Sequence, residues 1–419
     1  MSVLLLAADY YGTLAAVRCL GRAGVLVFAA DESPKARSLF SRYTHEKLTH
    51  PPIGDTARFL DWLMDFGRKH PNTVLYPTND HLAWLFADHQ AQLSRVFQTY
   101  QPTEDVILTL LDKKRLSDAC MAVGIDTPRT LYAESDAALA RVKREATYPL
   151  LIKPRTQIFL ETGVKGSMVQ TEGELDAELV RYRERVRFNR VLTDKHPDIA
   201  RPLFQEYLTA AETSIFSMSG FVTREGELLV RASMKVLQRP RKVGIGLCFE
   251  GRAIEPALKE QLAALCKHLG YFGAFEVEFI VDGDRRLLID FNPRFFSQMA
   301  FDVARGVPIP WLMYCAARGD TAALDKALAA ARSEPENIDH GYCHQTILDL
   351  VLTLQGASGQ MSRADIRRWR SWVKEHRGKL TDAVRDPEDR MPGIVDAVGW
   401  VQHFAKHPRS FVRDFVLNR

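Results

Sequence analysis

Several protein classes are excluded by what this sequence lacks. Its six cysteines, Cys19, Cys120, Cys248, Cys266, Cys315 and Cys343, are scattered, with no C-x-x-C pair and no cysteine–histidine cluster. That spacing argues against a zinc module or a disulfide framework and leads us to expect a reducing, cytoplasmic compartment. No uninterrupted apolar run approaches the roughly 20 residues that span a bilayer. The opening MSVLLLAADYYG has no basic flank and loses its apolar character at Asp9, unlike a secretion signal. Tandem repeats and low-complexity tracts are also missing. The net charge of +4 over 419 residues suits anionic small molecules but gives no basic footprint for nucleic acid.

Glycine is scarce where one familiar site would need it. VLLLAA (3–8), GTLAAVRCLGRAG (12–24) and VLVFAAD (25–31) read as a β-α-β unit opening a parallel, doubly wound sheet. Asp31 ends the second strand, as an acid does in dinucleotide-binding folds. The turn ADYYGT, however, has one glycine where that fingerprint has three, so a nicotinamide site is not expected. TVLYPTND (73–80) reads as a further strand ending in a polar loop, and open sheets bind ligands at such strand ends.

What is present fits a large folded protein of two or three units, with 46% hydrophobic and 26% charged residues. DKKRLSDACMAVG (112–124) reads as a helix with a glycine stop. YPLLIKP (148–154) is a short apolar strand with one lysine, followed by the loop RTQIFLETGVKGS and a charged helix over 172–190. PLFQEYL (202–208) is another strand. Strand signals fade after about residue 316, where a helical tail is expected.

The most informative segments are FEVEFIV (275–281) and RLLIDFN (286–292), joined by DGDR as a hairpin. With Gly283–Arg285 as the loop, Glu278 opposes Asp290 and Glu276 opposes Asn292. Asp290, Asn292 and Arg294 then share one face, while Phe275, Val277, Phe279, Leu287, Ile289 and Phe291 form the core face. Carboxylates about 5 Å apart repel by roughly 3 kcal/mol at an effective dielectric of 20. Mg²⁺ would offset this, since it takes one or two carboxylates, an amide oxygen and phosphate oxygens, and Arg294 is a donor fork for phosphate. A solvated strand face, with Arg294 neutralising Asp290, accounts for the hairpin taken alone equally well. Lys153, in its apolar strand, is either a phosphate contact or a lysine snorkelling at a strand end. Glu206 and Glu212 in FQEYLTAAETSIF could accept from an adenine amino group or ribose hydroxyls, and KVLQRPRKVGIG (235–246) is a basic, glycine-ended loop.

In this order the features resemble the ATP-grasp superfamily of carboxylate–amine ligases, over about residues 1–315. FEVEFIVDGDRRLLIDFNPR is similar to that family's metal-binding hairpin ending in (D/E)-x-N-P-R. The resemblance implies metal ligation by Glu278, Asp290 and Asn292, and phosphate contact by Arg294, Lys113 and Lys153. It implies a hinge strand over adenine with Glu206 and Leu208, and Glu212 at the ribose. The phosphate loop TGVKGS offers only Gly163 and Gly166, with Lys165 and Ser167 as further donors. Arg239 and Lys242 are candidates for an acyl phosphate or an incoming carboxylate. PTND (77–80), Gln298 and Asp302 are places to look for acceptor recognition.

The implied fold is α/β and α+β: a Rossmann-like pre-ATP-grasp domain (1–110), an ATP-grasp domain (111–315) and a helical extension (316–419). The implied function is ATP-dependent amide or peptide bond formation through an acyl phosphate, with ATP and Mg²⁺ (or Mn²⁺), a small carboxylate and a small amine. A bicarbonate-using or carbamoyl-phosphate-type enzyme and a non-catalytic ATP sensor are the alternatives, and a homodimer is common among resembling enzymes. In the tail, Trp400, Val401 and Phe404 form one apolar cluster and Phe411, Val412 and Phe415 another, divided at His407-Pro408. These suit packing onto the body of the protein or a weak membrane-surface contact.

Overall fold

The computed structural model describes residues 1–162, 166–239 and 244–416. Strands β1 (Ser2–Leu5), β2 (Leu26–Asp31), β3 (Thr44–Thr49), β4 (Thr73–Leu75) and β5 (Phe97–Gln98) form a parallel sheet in the order β3-β2-β1-β4-β5. Interior strands of a parallel sheet are covered on both faces, which is why Val3, Leu4, Leu5, Val74 and Leu75 are all buried. Strand order reverses between β1 and β4, which creates a crevice at their carboxyl ends.

Two antiparallel-based sheets follow. β6 (Thr130–Tyr132), β7 (Leu150–Lys153), β8 (Ser167–Val169) and β9 (Leu203–Glu206) pair in the order β6-β9-β7-β8. β10 (Ile215–Val222), β11 (Leu228–Arg239), β12 (Ile245–Arg252), β13 (Gly273–Asp282), β14 (Arg285–Asn292), β15 (Gly341–Cys343) and β16 (Leu380–Asp382) make a seven-stranded sheet in the order β14-β13-β10-β11-β12-β15-β16. The mixed α/β architecture expected from the sequence is thus present. One face of the large sheet joins Phe216, Val277, Phe279 and Phe291 in the main core.

The β13–β14 hairpin has the expected pairs Glu276↔Asn292, Val277↔Phe291 and Glu278↔Asp290, but reaches them differently. The turn is two residues, since Asp282 opposes Arg285, and Gly283 adopts φ +59° there. A bulge between the Glu278 and Phe279 pairs restores the register and leaves Ile289 as the extra residue. The core assignment is therefore corrected. Leu288, opposite Phe279, enters the main core, whereas Leu287 and Ile289 gather with Ile215, Ile280 and Leu208 in a separate apolar cluster.

The tail departs from the helical expectation at β15 and β16, three-residue strands too short to show alternation. The helix Met391–Lys406 ends at His407, and Pro408 starts a separate turn. Phe411 and Phe415 are buried and stacked, with Trp400 edge-on to Phe415 and the half-exposed Phe404 edge-on to Phe411, whereas Val401 faces outward. Of the predicted apolar cluster Trp400-Val401-Phe404, the two aromatic rings therefore meet the Phe411–Phe415 pair and Val401 stands apart. Among the described residues no helix is long and apolar enough to cross a membrane.

Asp389 fastens the tail to the first layer. Its buried carboxylate accepts from Arg18 Nε (2.9 Å), Ser41 Oγ (2.8 Å) and the Arg42 backbone N–H (2.8 Å). Removing one partner of such a pair strands the other in a dry environment. Asp389→Ala is expected to lower the unfolding free energy by about 3–5 kcal/mol in urea titrations; unchanged stability would show that the tail is not held there.

Candidate active site

The polar face of the hairpin continues across the large sheet. Ser217 lies beside Glu278, and Ser219 lies beside Glu276. Two ammonium groups meet the opposed carboxylates. Lys235 Nζ lies 2.6 Å from Glu278 Oε1, and Lys113 Nζ lies 2.8 Å from Asp290 Oδ1. Burial disfavours both ammonium forms, yet Asp290 holds the Lys113 pKa above its ordinary value and Glu278 does the same for Lys235. Burial likewise works against the Asp290 carboxylate, but Lys113, then Lys153 and Arg294, keep its pKa below the usual range.

Glu276 differs. Burial and the charge of Glu278 push its pKa up to about 7, although Asn292 Nδ2 (2.5 Å) and Gln298 Nε2 (2.9 Å) donate to it.

Lys113 is positioned by a buried ion pair. It opens the helix Lys113–Ala122, capped by Asp112, whose Oδ1 accepts from the Lys114 N–H at 2.9 Å. The fully buried Asp112 carboxylate is gripped by Arg155 through both Nε (3.0 Å) and Nη2, and Lys113 N donates to Arg155 O (2.9 Å). Arg155 stands two residues beyond Lys153, so one ion pair ties the β7 lysine to the helical one. Lys153 Nζ donates to Gln205 Oε1 at 3.2 Å. Lys113, Tyr132, Gln205 and Ile289 line a narrow crevice between the four-stranded sheet and the hairpin.

The other predicted residues are spread around this centre. Glu206 accepts from the Arg129 backbone N–H (2.8 Å), Glu212 accepts from the Tyr207 hydroxyl, and Leu208 belongs to the Ile280–Ile289 apolar cluster. Ser167 pairs with Ile152 across β7–β8 and bonds Glu178. Arg239 ends β11, opposite Ile245. Lys165 and Lys242 lie outside the described residues.

Arg294 is turned toward the first layer. Its Nε donates to Asp80 (2.7 Å), one Nη to the Tyr10 hydroxyl (3.1 Å) and Phe295 O (2.9 Å), and the other to Asn292 Oδ1 (2.7 Å). The cation on Asp290 is Lys113, not Arg294. Gln298 is spent on Glu276, and Asp302 on Ser219 and Arg305.

Sequence reasoning missed Asp112, Arg155 and Lys235. Lys235 did carry a signal, a cation set between Met234 and Val236 in the 12-residue strand LLVRASMKVLQR, which also holds Arg231 and Arg239.

Among the described residues, no three His, Cys, Asp or Glu side chains converge as a metal cage. Two opposed carboxylates and an amide nevertheless form an all-oxygen donor set that fits Mg²⁺, which takes its other ligands from phosphate and water.

No protein-family model matches the chain, and no curated protein matches it by sequence. Solved structures do match its shape. One is the biotin carboxylase domain dimer of Hydrogenobacter thermophilus 2-oxoglutarate carboxylase, solved with MgADP, ADP and bicarbonate. It gives a TM-score of 0.59 at 18% identity, over 76% of this chain and 69% of that one. The L-amino acid ligase of Bacillus licheniformis matches with a TM-score of 0.56 at 12% identity, covering 75% and 73% of the two chains. The N5-carboxyaminoimidazole ribonucleotide synthetase of Thermus thermophilus matches with a TM-score of 0.55 at 16% identity, covering 76% and 78%. The chain has the ATP-grasp fold.

Within this ATP-grasp fold Glu276 makes a test of the charged face. Its folded pKa, about 7, lies above the roughly 4.3 of an exposed glutamate, so the folded state holds the proton longer. The stability this contributes is full below the unfolded pKa and is lost as pH rises through about 7. Urea midpoints should fall between about pH 4.5 and 7.5 and fall less in Glu276→Gln. Equal slopes would show that Glu276 titrates normally.

Proposed function

We propose that the protein binds Mg·ATP against the hairpin and uses it to activate a carboxylate for attack by an amine, releasing ADP and phosphate. The observation that carries this reading is the cross-strand pair Glu278 and Asp290, each held by a lysine from a different element, beside a crevice that Lys113 lines. Glu278, Asp290 and Asn292 would hold Mg²⁺, which when bound supplies positive charge against the phosphate oxygens. Lys113 and Lys153 stabilise the charge that develops on the migrating phosphoryl group, with Lys165 and Ser167 as further donors from the loop. Leu208 and Ile289 offer an apolar surface for adenine, and Glu206 and Glu212 provide acceptors for its amino group and the ribose. Arg239 and Lys242 are assigned to the activated acid.

In the first step a carboxylate oxygen bonds to the γ-phosphorus as the bond to ADP breaks. In the second, the amine nitrogen attacks the acyl carbon, loses its proton, and phosphate leaves. Positioning and charge stabilisation are what the chain contributes to such transfers. Arg294 acts at one remove, orienting Asn292 from its anchorage on Asp80. A second reading, with bicarbonate as the activated acid, is supported by the likeness to a biotin carboxylase domain solved with bicarbonate.

The test is product release from Mg·ATP against panels of amino acids, small carboxylates and bicarbonate, followed by mass spectrometry. ADP with a condensed mass supports ligation, and ADP that depends on bicarbonate selects the second reading. AMP would overturn phosphoryl transfer. Asp290→Asn and Glu278→Gln should each reduce turnover about 100-fold, with circular dichroism unchanged; a fully active variant would remove the residue from the site.

A further inference from the structure

The C-terminal extension carries a feature that the ligase reading does not use. Residues 363–379 hold seven lysines and arginines against two acids. That excess of five charges exceeds the +4 of the whole chain, so the mild overall balance conceals a strong local one. The segment is the helix Arg363–Glu375 and the turn after it.

Helical periodicity gathers the charge further. Arg363, Arg367, Arg370 and Lys374 stand at i, i+4, i+7 and i+11, which confines them to a sector of about 60° running roughly 16 Å along the helix. All four are exposed, and among the described residues none forms an ion pair or a side-chain hydrogen bond. The opposite face is buried, where Trp369 and Trp372 pack in the core of the extension.

This row works against the helix that bears it. Like charges three or four residues apart repel, and Arg363 opens the helix, where the backbone dipole is already positive. Another charged helix of the same chain, Glu172–Arg185, is arranged the ordinary way. Glu172 and Glu174 occupy its first turn, and Arg183 and Arg185 its last. A cationic row that costs its own helix stability, and that no acid of the described chain answers, fits an anion from outside.

Its shape selects the anion. Duplex grooves place phosphates along both flanks of an inserted helix, yet here the flanks carry Ile366 and Val373 on one side and Ala364 and Ser371 on the other. Single strands need exposed rings for stacking, and both tryptophans are buried. Protein interfaces draw their affinity from buried apolar anchors, and no large apolar side chain of this helix is exposed. A straight row of cations on a convex rod meets a flat anionic surface along its whole length, and the headgroups of acidic lipids form such a surface. The next helix, Met391–Lys406, adds what that surface also accepts. Ile394, Val398 and Val401 lie on one face of it, 54%, 49% and 69% exposed, while its only acid, Asp396, is buried. Charge together with apolar insertion is the pair of signals that stable attachment to a bilayer surface requires.

We propose that the C-terminal extension docks on an anionic lipid surface. Arg363, Arg367, Arg370 and Lys374 meet the headgroup phosphates, and Ile394, Val398 and Val401 enter the acyl boundary. The proposal is independent of the ligase reading, since none of these residues belongs to the hairpin site.

The experiment is co-sedimentation of the full chain with phosphatidylcholine vesicles that contain or lack phosphatidylserine, at low and high salt. Binding is expected only with phosphatidylserine, and it should weaken as salt screens the row. Each cation at such a surface contributes about fivefold in affinity, so Arg367→Gln/Arg370→Gln should bind roughly 25-fold more weakly. The same variant should unfold at the same temperature or a higher one, because it relieves repulsion within the helix. Val401→Glu should weaken binding as well, with circular dichroism unchanged. No binding to phosphatidylserine vesicles, equal binding to neutral ones, or unaltered affinity in either variant would each overturn the proposal. Tighter binding to duplex DNA or to polyglutamate than to the vesicles would also overturn it, and would reassign the row to nucleic acid or to an acidic protein.

Discussion

The mutual repulsion of Glu276, Glu278 and Asp290 on one face of the β13–β14 hairpin is the constraint to which the surrounding structure answers. Neighbouring carboxylates at about 5 Å cost roughly 3 kcal/mol each pair at moderate dielectric, a large share of the roughly 5–15 kcal/mol that holds a typical domain together. The cations that answer this repulsion come from different places. Lys235 rises from the same sheet, Lys113 from the start of a helix outside it, and Arg294 from the segment leaving the hairpin. Only Lys235 is local. Lys113 must be carried to Asp290 by a helix whose first turn is fixed through Asp112 and Arg155, and Arg294 extends the charge chain to Asp80 in the first layer. The three sheets are therefore arranged around one charged face, not merely packed side by side.

The residues that could be read from the sequence were those whose neighbours made them anomalous. Alternation in FEVEFIV and RLLIDFN was enough to oppose Glu278 to Asp290, because a one-residue slip would have turned every aromatic outward. The bulge could not be read, since Leu287, Leu288 and Ile289 are all apolar and any of them can face a core. Lys153 stood out as a lone cation in an apolar strand. Lys235 shares its strand with Arg231 and Arg239 and opens the basic run KVLQRPRKVGIG, where one more cation is ordinary. The partners of Arg294 were beyond reach for another reason: Asp80 and Tyr10 lie 214 and 284 residues away, and no local pattern encodes a contact of that range.

The tail shows a similar limit. Its helices were legible from periodicity, but β15 and β16 exist because the edge of β12 needs partners for its backbone, not because three residues prefer to be extended. Asp389 then carries the chain back to Arg18 and Ser41. The tail thus completes the large sheet at one end and fastens to the parallel sheet at the other.

The single glycine in the ADYYGT turn finds its reason in the same packing. In a dinucleotide fold, glycines at that turn let a pyrophosphate approach the helix N-terminus. Here a Cβ on Gly12 would stand 2.5 Å from the carbonyl oxygen of Phe296, so the close approach is made by the chain's own backbone just after Arg294. Ala7, where a glycine would be comfortable, instead holds a left-handed conformation at the rim of a cavity that Asp31, Glu32 and Glu161 line. The helix that begins at Tyr11 consequently meets a carbonyl where an anion would otherwise sit, and Arg294 beside it is committed to Asp80 and Tyr10. Closing that entrance leaves Asp31, Glu32 and Glu161 to set the charge of what remains open at the strand ends.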